Sequence, residues 1–233
     1  MSLPILESPK YEAKVPSTGK KVNYRPYLVK EEKILMIAME SDNQAQILDA
    51  MKEVVKACTY NKVDVEKLTI FDLEFLFLKL RSKSVGEIAK VGIHCEKCQV
   101  TNKQEINLDL IEVNVPVVNN KIKLTEKVGV VLHWPHVGSV NMDEVSKKNK
   151  IDIAMDLIAN CIESIYDEKA VYPAADSTLE ELLAFLGSLS QAQFTKIQEF
   201  VNKMPRLQHE VEFTCVCGHK NKLTLQGLQS FFE

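Results

Sequence analysis

Two short stretches hold the donor atoms from which chemistry could be built. Residues 91–98 read VGIHCEKC and residues 213–221 read FTCVCGHKN. The first sets Cys95 and Cys98 at CxxC spacing. The second sets Cys215 and Cys217 with only Val216 between them, followed by His219. Close cysteine pairs followed by strand-like sequence read as metal knuckles, and two knuckles on neighbouring hairpins supply the four thiolates of a tetrahedral zinc ribbon. Thiolates are soft ligands, and a closed four-sulfur shell has no vacant position. The expected metal is therefore one structural zinc per chain. Its predicted ligands are Cys95, Cys98, Cys215 and Cys217. Because CVCGH offers three donors, His219 in place of one cysteine is a second set. His94 is a poorer donor, since adjacent residues in extended chain point in opposite directions. The plain alternative is four reduced cysteines without metal.

The remaining polar features suggest less. STGKK (17–21) has a Gly-Lys pair but neither the upstream glycine nor the strand of a phosphate-binding loop, so it reads as a flexible basic turn. His133 and His136 flank Trp134 in HWPH, with no carboxylate motif beside them, and read as a packed strand end. Asp72 and Glu74 read as the one polar edge of an apolar helix. Cys58 and Cys161 fall on apolar helical stripes and read as small core residues. Nothing assembles a nucleophile, a base and an orienting group, so no enzyme activity is expected.

The two knuckles are separated by residues 99–214, far more than the ~15–20 residues of a compact ribbon. Closure entropy grows only with the logarithm of loop length, so a long insertion is allowed. The elements around it are legible by period. Apolar residues Ile47, Leu48, Met51, Val54, Val55 and Cys58 recur at helical spacing, and a helix starting near Val65 is apolar almost all round from Ile70 to Leu80. KQEINLDLIEVNV, KIKL and VGVVLHW alternate as strands, and HVGSVN (136–141) reads as a loop. Helices are expected again from about 143 to 204, with Ile151, Ala154, Ile158, Cys161, Ile162 and Ile165 on one stripe. Ser177 or Thr178 and Ser190 are set to cap the later helices. HEVEFTC and NKLTLQGL alternate and flank the second knuckle. No internal repeat is evident.

These elements define an α+β protein: a helical N-terminal region, a split zinc-ribbon-like β element, and an inserted mixed helical segment. The expected boundaries are an extended arm at 1–29, helices at 30–88, the ribbon at 89–114 with 207–233, and the insert at 115–206. The arm holds Pro4, Pro9, Pro16 and Pro26 and is expected to have little regular structure of its own.

Composition is ordinary for a globular chain of 233 residues, with 45% hydrophobic and 26% charged residues. Net charge is −3 and pI about 6.0, without the basic excess on which most nucleic-acid binders depend. No apolar run is long enough for a bilayer and no secretory signal is evident, so the chain is expected to act in a cytoplasm, at least when made.

Six strings in order resemble a viral family: YRPYLVKEEKILMIAMES (24–41), LRSKSVGE (80–87), HCEKC, KVGVVLHWP (127–135), LSQAQFTKIQEFVNKMP (189–205) and CVCGHKNKLTLQGLQSFF (215–232). Over residues 20–233 the chain resembles the baseplate proteins of T-even-type tailed bacteriophages, most nearly their hub or central spike complex subunits. The resemblance implies a non-enzymatic component of the contractile-tail baseplate, either a hub subunit or a hub assembly factor. Its implied partners are other baseplate or hub proteins, and its implied place is the virion tail baseplate or the host cytoplasm during assembly. It puts the four cysteines at the two knuckle positions, the second departing from CxxC by one residue. The contrasting reading is a zinc-ribbon nucleic-acid-binding or transcription-associated module. Acids in HEVEF and NLDLIEV argue against it, although HKNK is basic.

Overall fold

The computed structural model describes residues 6–41, 43–139 and 148–231. The chain is mixed α and β, with six α-helices and small antiparallel sheets among the described residues. It divides into two compact units, 1–114 with 206–233, and 115–205.

The N-terminal stretch is more regular than its prolines suggest. Strands β1 (Tyr11–Lys14) and β2 (Lys21–Tyr24) pair as an antiparallel hairpin. Pro9, Pro16 and Pro26 all fall outside the strands, where a missing N–H costs no ladder bond. Ala13, Val15 and Tyr24 are buried. The turn is tied down: the Ser17 N–H donates to Asp72 at 2.9 Å, and its hydroxyl donates to the same carboxylate. Pro4 lies outside the described residues.

Helix α1 (Val29–Glu40) starts where the buried Glu31 carboxylate accepts from the Leu28 N–H at 2.8 Å and from Arg25 at 2.9 Å. Asn43 caps α2 (Gln44–Cys58), which buries Met51, Val54, Val55 and Cys58 as its period requires. A single 3-10 turn occupies Val65–Lys67, and α3 (Ile70–Ser84) begins later than expected because Thr69 and Asp72 form a capping box. The helix is buried on several sides, with Phe71, Leu73, Leu76, Leu78 and Leu80 at 0–2% exposure. Its acids are not a solvated edge. Asp72 is 1% exposed and accepts from Ser17 and Thr69. Glu74 accepts the Leu228 N–H, and burial pushes its carboxyl up.

Strands β3 (Ile88–His94) and β4 (Thr101–Asn107) form the next hairpin. The predicted strand through residue 115 stops early, because the Asn107 side chain caps a 3-10 turn at Leu108–Leu110.

In the second unit, β5 (Lys121–Lys123), β6 (Gly129–Leu132), β7 (Ile162–Tyr166) and β8 (Val171–Pro173) make one antiparallel sheet in that order. Gly129 is required there, since a Cβ would strike the Tyr166 ring. Helices α4 (Lys150–Ala159), α5 (Leu179–Gly187) and α6 (Gln191–Asn202) accompany it, the last two capped by Thr178 and Ser190. Leu132, Ile158, Ile162, Leu186, Ile197 and Phe200 are part of the core, and Trp134 stacks on Phe200 at 4.3 Å. The helical stripe predicted from Ile151 to Ile165 is broken: α4 ends at Ala159, and Ile162 and Ile165 belong to β7. Pairing with β6 and β8 overrides a spacing that also fits a helix. Val137–Ser139 is a 3-10 turn; the end of the expected loop, 140–141, and the helix start near 143 lie outside the described residues.

The chain returns to the first unit with β9 (Gln208–Thr214) and β10 (Lys220–Gln226), a second hairpin followed by a 3-10 turn at Leu228–Phe231. Helix α3 grips the feet of both hairpins. Lys79 donates to the Asp109 carbonyl at 2.7 Å, Ser82 donates to its carboxylate at 2.6 Å, and Lys83 pairs with it. Glu74 holds the turn at Leu228.

Two outcomes follow from these contacts. Asp72→Ala leaves Ser17 and Thr69 without their acceptor, and should lower unfolding free energy by roughly 2–3 kcal/mol in urea titration while speeding proteolytic cleavage before residue 25. Burial disfavours the Asp109 carboxylate, but Lys83 and Ser82 outweigh it and hold its pKa below the ordinary 3.8. Its stabilisation is then full above that unfolded-state value and fades as pH falls through the lowered one. Thermal melts of Asp109→Asn should therefore lose less stability on acidification below about pH 4 than the parent does.

Candidate metal centre

The two hairpins, each built from a pair of seven-residue strands, differ in their tips. In the first, His94 pairs with Thr101, leaving residues 95–100 as the loop. In the second, Thr214 pairs with Lys220, leaving 215–219, one residue fewer. Both loops are closed by the same bonds. The Cys95 N–H donates to the Val100 carbonyl at 3.0 Å, and the Cys215 N–H to the His219 carbonyl at 2.9 Å. Gln99 N–H returns to the Cys95 carbonyl at 2.9 Å, and Gly218 N–H to the Cys215 carbonyl at 2.8 Å. Gln99 and Gly218 both take the left-handed conformation, with φ of 60° and 83°.

This equivalence explains the short second knuckle. Each loop's second cysteine, Cys98 or Cys217, immediately precedes the left-handed residue. The missing residue is taken out of the turn between the two cysteines. Glycine at 218 suits the tighter turn, having no Cβ to oppose positive φ.

The four sulfurs converge. Cys95 Sγ lies 3.8 Å from Cys217 Sγ, and Cys98 Sγ lies 3.5 Å from Cys215 Sγ. All four lie within 4.8 Å of one another. A disulfide requires about 2.05 Å, so these are free thiols in van der Waals range. A tetrahedral zinc with Zn–S near 2.3 Å would set its sulfurs about 3.8 Å apart. The donor set and its spacing fit such an ion. Cys95 and Cys215 are buried, and Cys98 and Cys217 reach solvent. No other group of three or more His, Cys, Asp or Glu side chains comes together among the described residues.

The surroundings sort the thiols electrostatically. Burial opposes the Cys95 thiolate, yet N–H groups of Cys98 and Lys97 and the Asn221 amide bring it down to about 6. The Cys217 N–H, followed by Asn102, likewise lowers Cys215. For Cys98 the Val100 N–H favours the thiolate, but burial and the neighbouring sulfurs prevail and push it up to about 12. Four thiolates cannot crowd together without a cation, and a divalent ion would remove that penalty. Burial alone raises Cys161 to about 12; burial also raises Cys58, to about 11 against the opposing Arg25 charge. Both are buried, and neither belongs to the cluster.

The other predicted donors go elsewhere. His219 Nε2 sits 4.0 Å from the Glu96 carboxylate, outside the sulfur cluster. His94 Nδ1 lies 3.3 Å from the Gln99 carbonyl and 3.2 Å from the Thr101 hydroxyl. His133 and His136 stack at 4.7 Å, and His133 Nδ1 contacts the Trp134 carbonyl. Sequence reading missed Asn102 and Asn221. Asn102 donates to Cys215 Sγ at 3.5 Å, and Asn221 accepts the Glu96 N–H, next to Cys95, at 3.0 Å. The signal was present: each asparagine stands four residues after its hairpin's second cysteine.

No helix among the described residues is long and apolar enough to cross a membrane. Searches of curated proteins and of solved structures gave no match. A family model described as T4 bacteriophage base plate protein matches residues 8–233. That match spans both hairpins and everything between them, and the chain belongs to this family of phage baseplate proteins.

Proposed function

We propose that the chain is a non-enzymatic structural or assembly component of a contractile phage tail baseplate, a hub subunit or hub assembly factor, locked by one structural zinc. The observation that carries the zinc is the convergence of four sulfurs at near-tetrahedral separation from hairpins more than a hundred residues apart. Cys95, Cys98, Cys215 and Cys217 are the ligands of a split ribbon formed by 89–114 and 207–233. The segment at 1–29, which carries the β1–β2 hairpin, and the helices at 30–88 precede it, and 115–206 is an insert that leaves after β4 and returns before β9. A closed sulfur shell gives zinc no open position for a substrate, which supports a mechanical role.

Family membership supports other baseplate proteins as partners and the tail baseplate, or host cytoplasm during assembly, as the location. Helix α1 supplies surface for such contacts: Val29, Met36, Ile37 and Met39 are 57–80% exposed. The nucleic-acid reading finds little support at the hairpins. Lys222 is neutralised by Glu210 at 3.2 Å and Glu212 at 2.9 Å, and Lys90 faces Glu105 at 3.6 Å.

Purified chain should carry about one zinc per molecule; a gently purified sample with under about a tenth of an equivalent would overturn the metal assignment. Changing Cys95 and Cys98 together to Ser should abolish metal and lower stability, whereas His219→Ala should keep a full equivalent. Loss of metal from the His219 variant would move the fourth ligand to that residue. For the cellular role, tagged chain recovered from infected cells should bring baseplate proteins with it. Recovery of nucleic acid or polymerase in their place would favour the transcription-associated alternative.

A further inference from the structure

The two hairpins repeat one another beyond their cysteines. CQVTNKQEI (98–106) and CGHKNKLTL (217–225) share a cysteine, an asparagine four residues on, and a buried aliphatic residue four further, Ile106 or Leu225. The feet match too. The residue after each second strand donates to the residue before each first strand, Leu108 N–H to the Glu87 carbonyl and Gly227 N–H to the Leu207 carbonyl, both at 2.8 Å. The sequence reading, which found no repeat, overlooked this one because more than a hundred residues separate its copies.

From this repetition we infer that Asn102 and Asn221 are positioning residues of the metal centre, each fastening the leading-cysteine segment of the opposite hairpin, Asn102 through Cys215 Sγ and Asn221 through the Glu96 N–H beside Cys95. Each side-chain amide has two N–H donors. One goes to a carbonyl of its own loop, Asn102 to Val100 at 2.8 Å and Asn221 to His219 at 3.2 Å. That bond aims the amide across the interface. The reach across the interface differs: the second Asn102 N–H meets Cys215 Sγ at 3.5 Å, and Asn221 Oδ1 accepts the Glu96 N–H, next to Cys95, at 3.0 Å. The carbonyls used, Val100 and His219, are the ones that close the two loops. Amide aim and loop closure are therefore one unit in each hairpin.

The exchange does two things for a bound cation. Four thiolates around a divalent ion leave net negative charge, and an N–H donor to sulfur draws part of it off. Because each asparagine reaches the opposite hairpin, these bonds exist only when both hairpins are docked. The oxygen halves differ. Asn221 is 2% exposed and its Oδ1 also accepts the Glu96 N–H at 3.0 Å. Asn221 thus adds a backbone clamp, and Asn102 is the cleaner probe of the sulfur contact.

This inference rests on the zinc reading, and the test separates the two. The full chain is loaded with cobalt(II), whose sulfur-to-metal charge-transfer bands report sulfur donor energy, and metal release to a chelator is timed. In Asn102→Ala the bands should move to lower energy and release should quicken about tenfold, with one metal still bound and the circular dichroism unchanged. Asn221→Ala, which leaves the Glu96 N–H without its acceptor, should quicken release and also lower stability. Normal loading with unmoved bands and unchanged release in Asn102→Ala overturns this inference alone. A parent chain that takes up no cobalt overturns the zinc reading and this inference with it.

Discussion

Everything in the first unit depends on docking two hairpins whose facing sulfurs lie 117 and 122 residues apart in sequence. Lengthening a loop from ~17 to ~117 residues adds only about 2 kcal/mol of closure entropy. A structural zinc in a four-ligand site contributes on the order of 10 kcal/mol or more at neutral pH. The arithmetic favours closure even with a large insertion, and the cysteines need not be close in sequence to be close in space. A site of this kind tolerates growth of the intervening segment. It does not tolerate loss of either hairpin.

Metal would secure only the tips. The feet are secured by α3, and this gives its unusual composition a reason. A helix lying against both hairpins cannot have one apolar stripe; it must bury residues around most of its circumference, as Phe71 through Leu80 do. Its few polar side chains then become fasteners. Asp72 holds the N-terminal hairpin, Glu74 the turn after β10, and Lys79, Ser82 and Lys83 the turn after β4. A polar group on such a helix would be costly if unpaired, so each is matched to a donor or acceptor that only the docked structure presents. Burial supplies the energy of the assembly, while these pairs fix its register.

The parts legible in sequence were those that declare themselves locally. The two cysteine pairs that converge, the cap residues Thr178 and Ser190, and the stripe of α2 all follow from spacing within one turn or one hairpin. What escaped depends on partners distant in the chain. The N-terminal segment looked bare because its turn is held by Asp72, 55 residues away. Ile162 and Ile165 fitted a helical stripe, and became a strand because β6 and β8 lie on either side. Asp72 and Glu74 looked like a solvated edge because nothing local announces Ser17 or Leu228. The asparagines were hidden differently: the pattern lay in the sequence, but comparing the two hairpins required knowing that they were equivalent.

That equivalence also decides how the irregular knuckle should be understood. Counting residues between cysteines makes CVC look defective. Counting back from the left-handed residue makes it regular, because Cys98 and Cys217 each stand one place before it. The carbonyl-closed loop, not the cysteine spacing, aims the second sulfur. One residue can therefore be removed between the cysteines, provided the turn tightens and the left-handed position can accept it, as Gly218 does. The same removal after the left-handed residue would shift Asn221 relative to Cys95 and turn its amide away from the facing hairpin. The second loop is one residue shorter at a place that leaves both the sulfur cluster and the position of Asn221 relative to the left-handed residue unchanged.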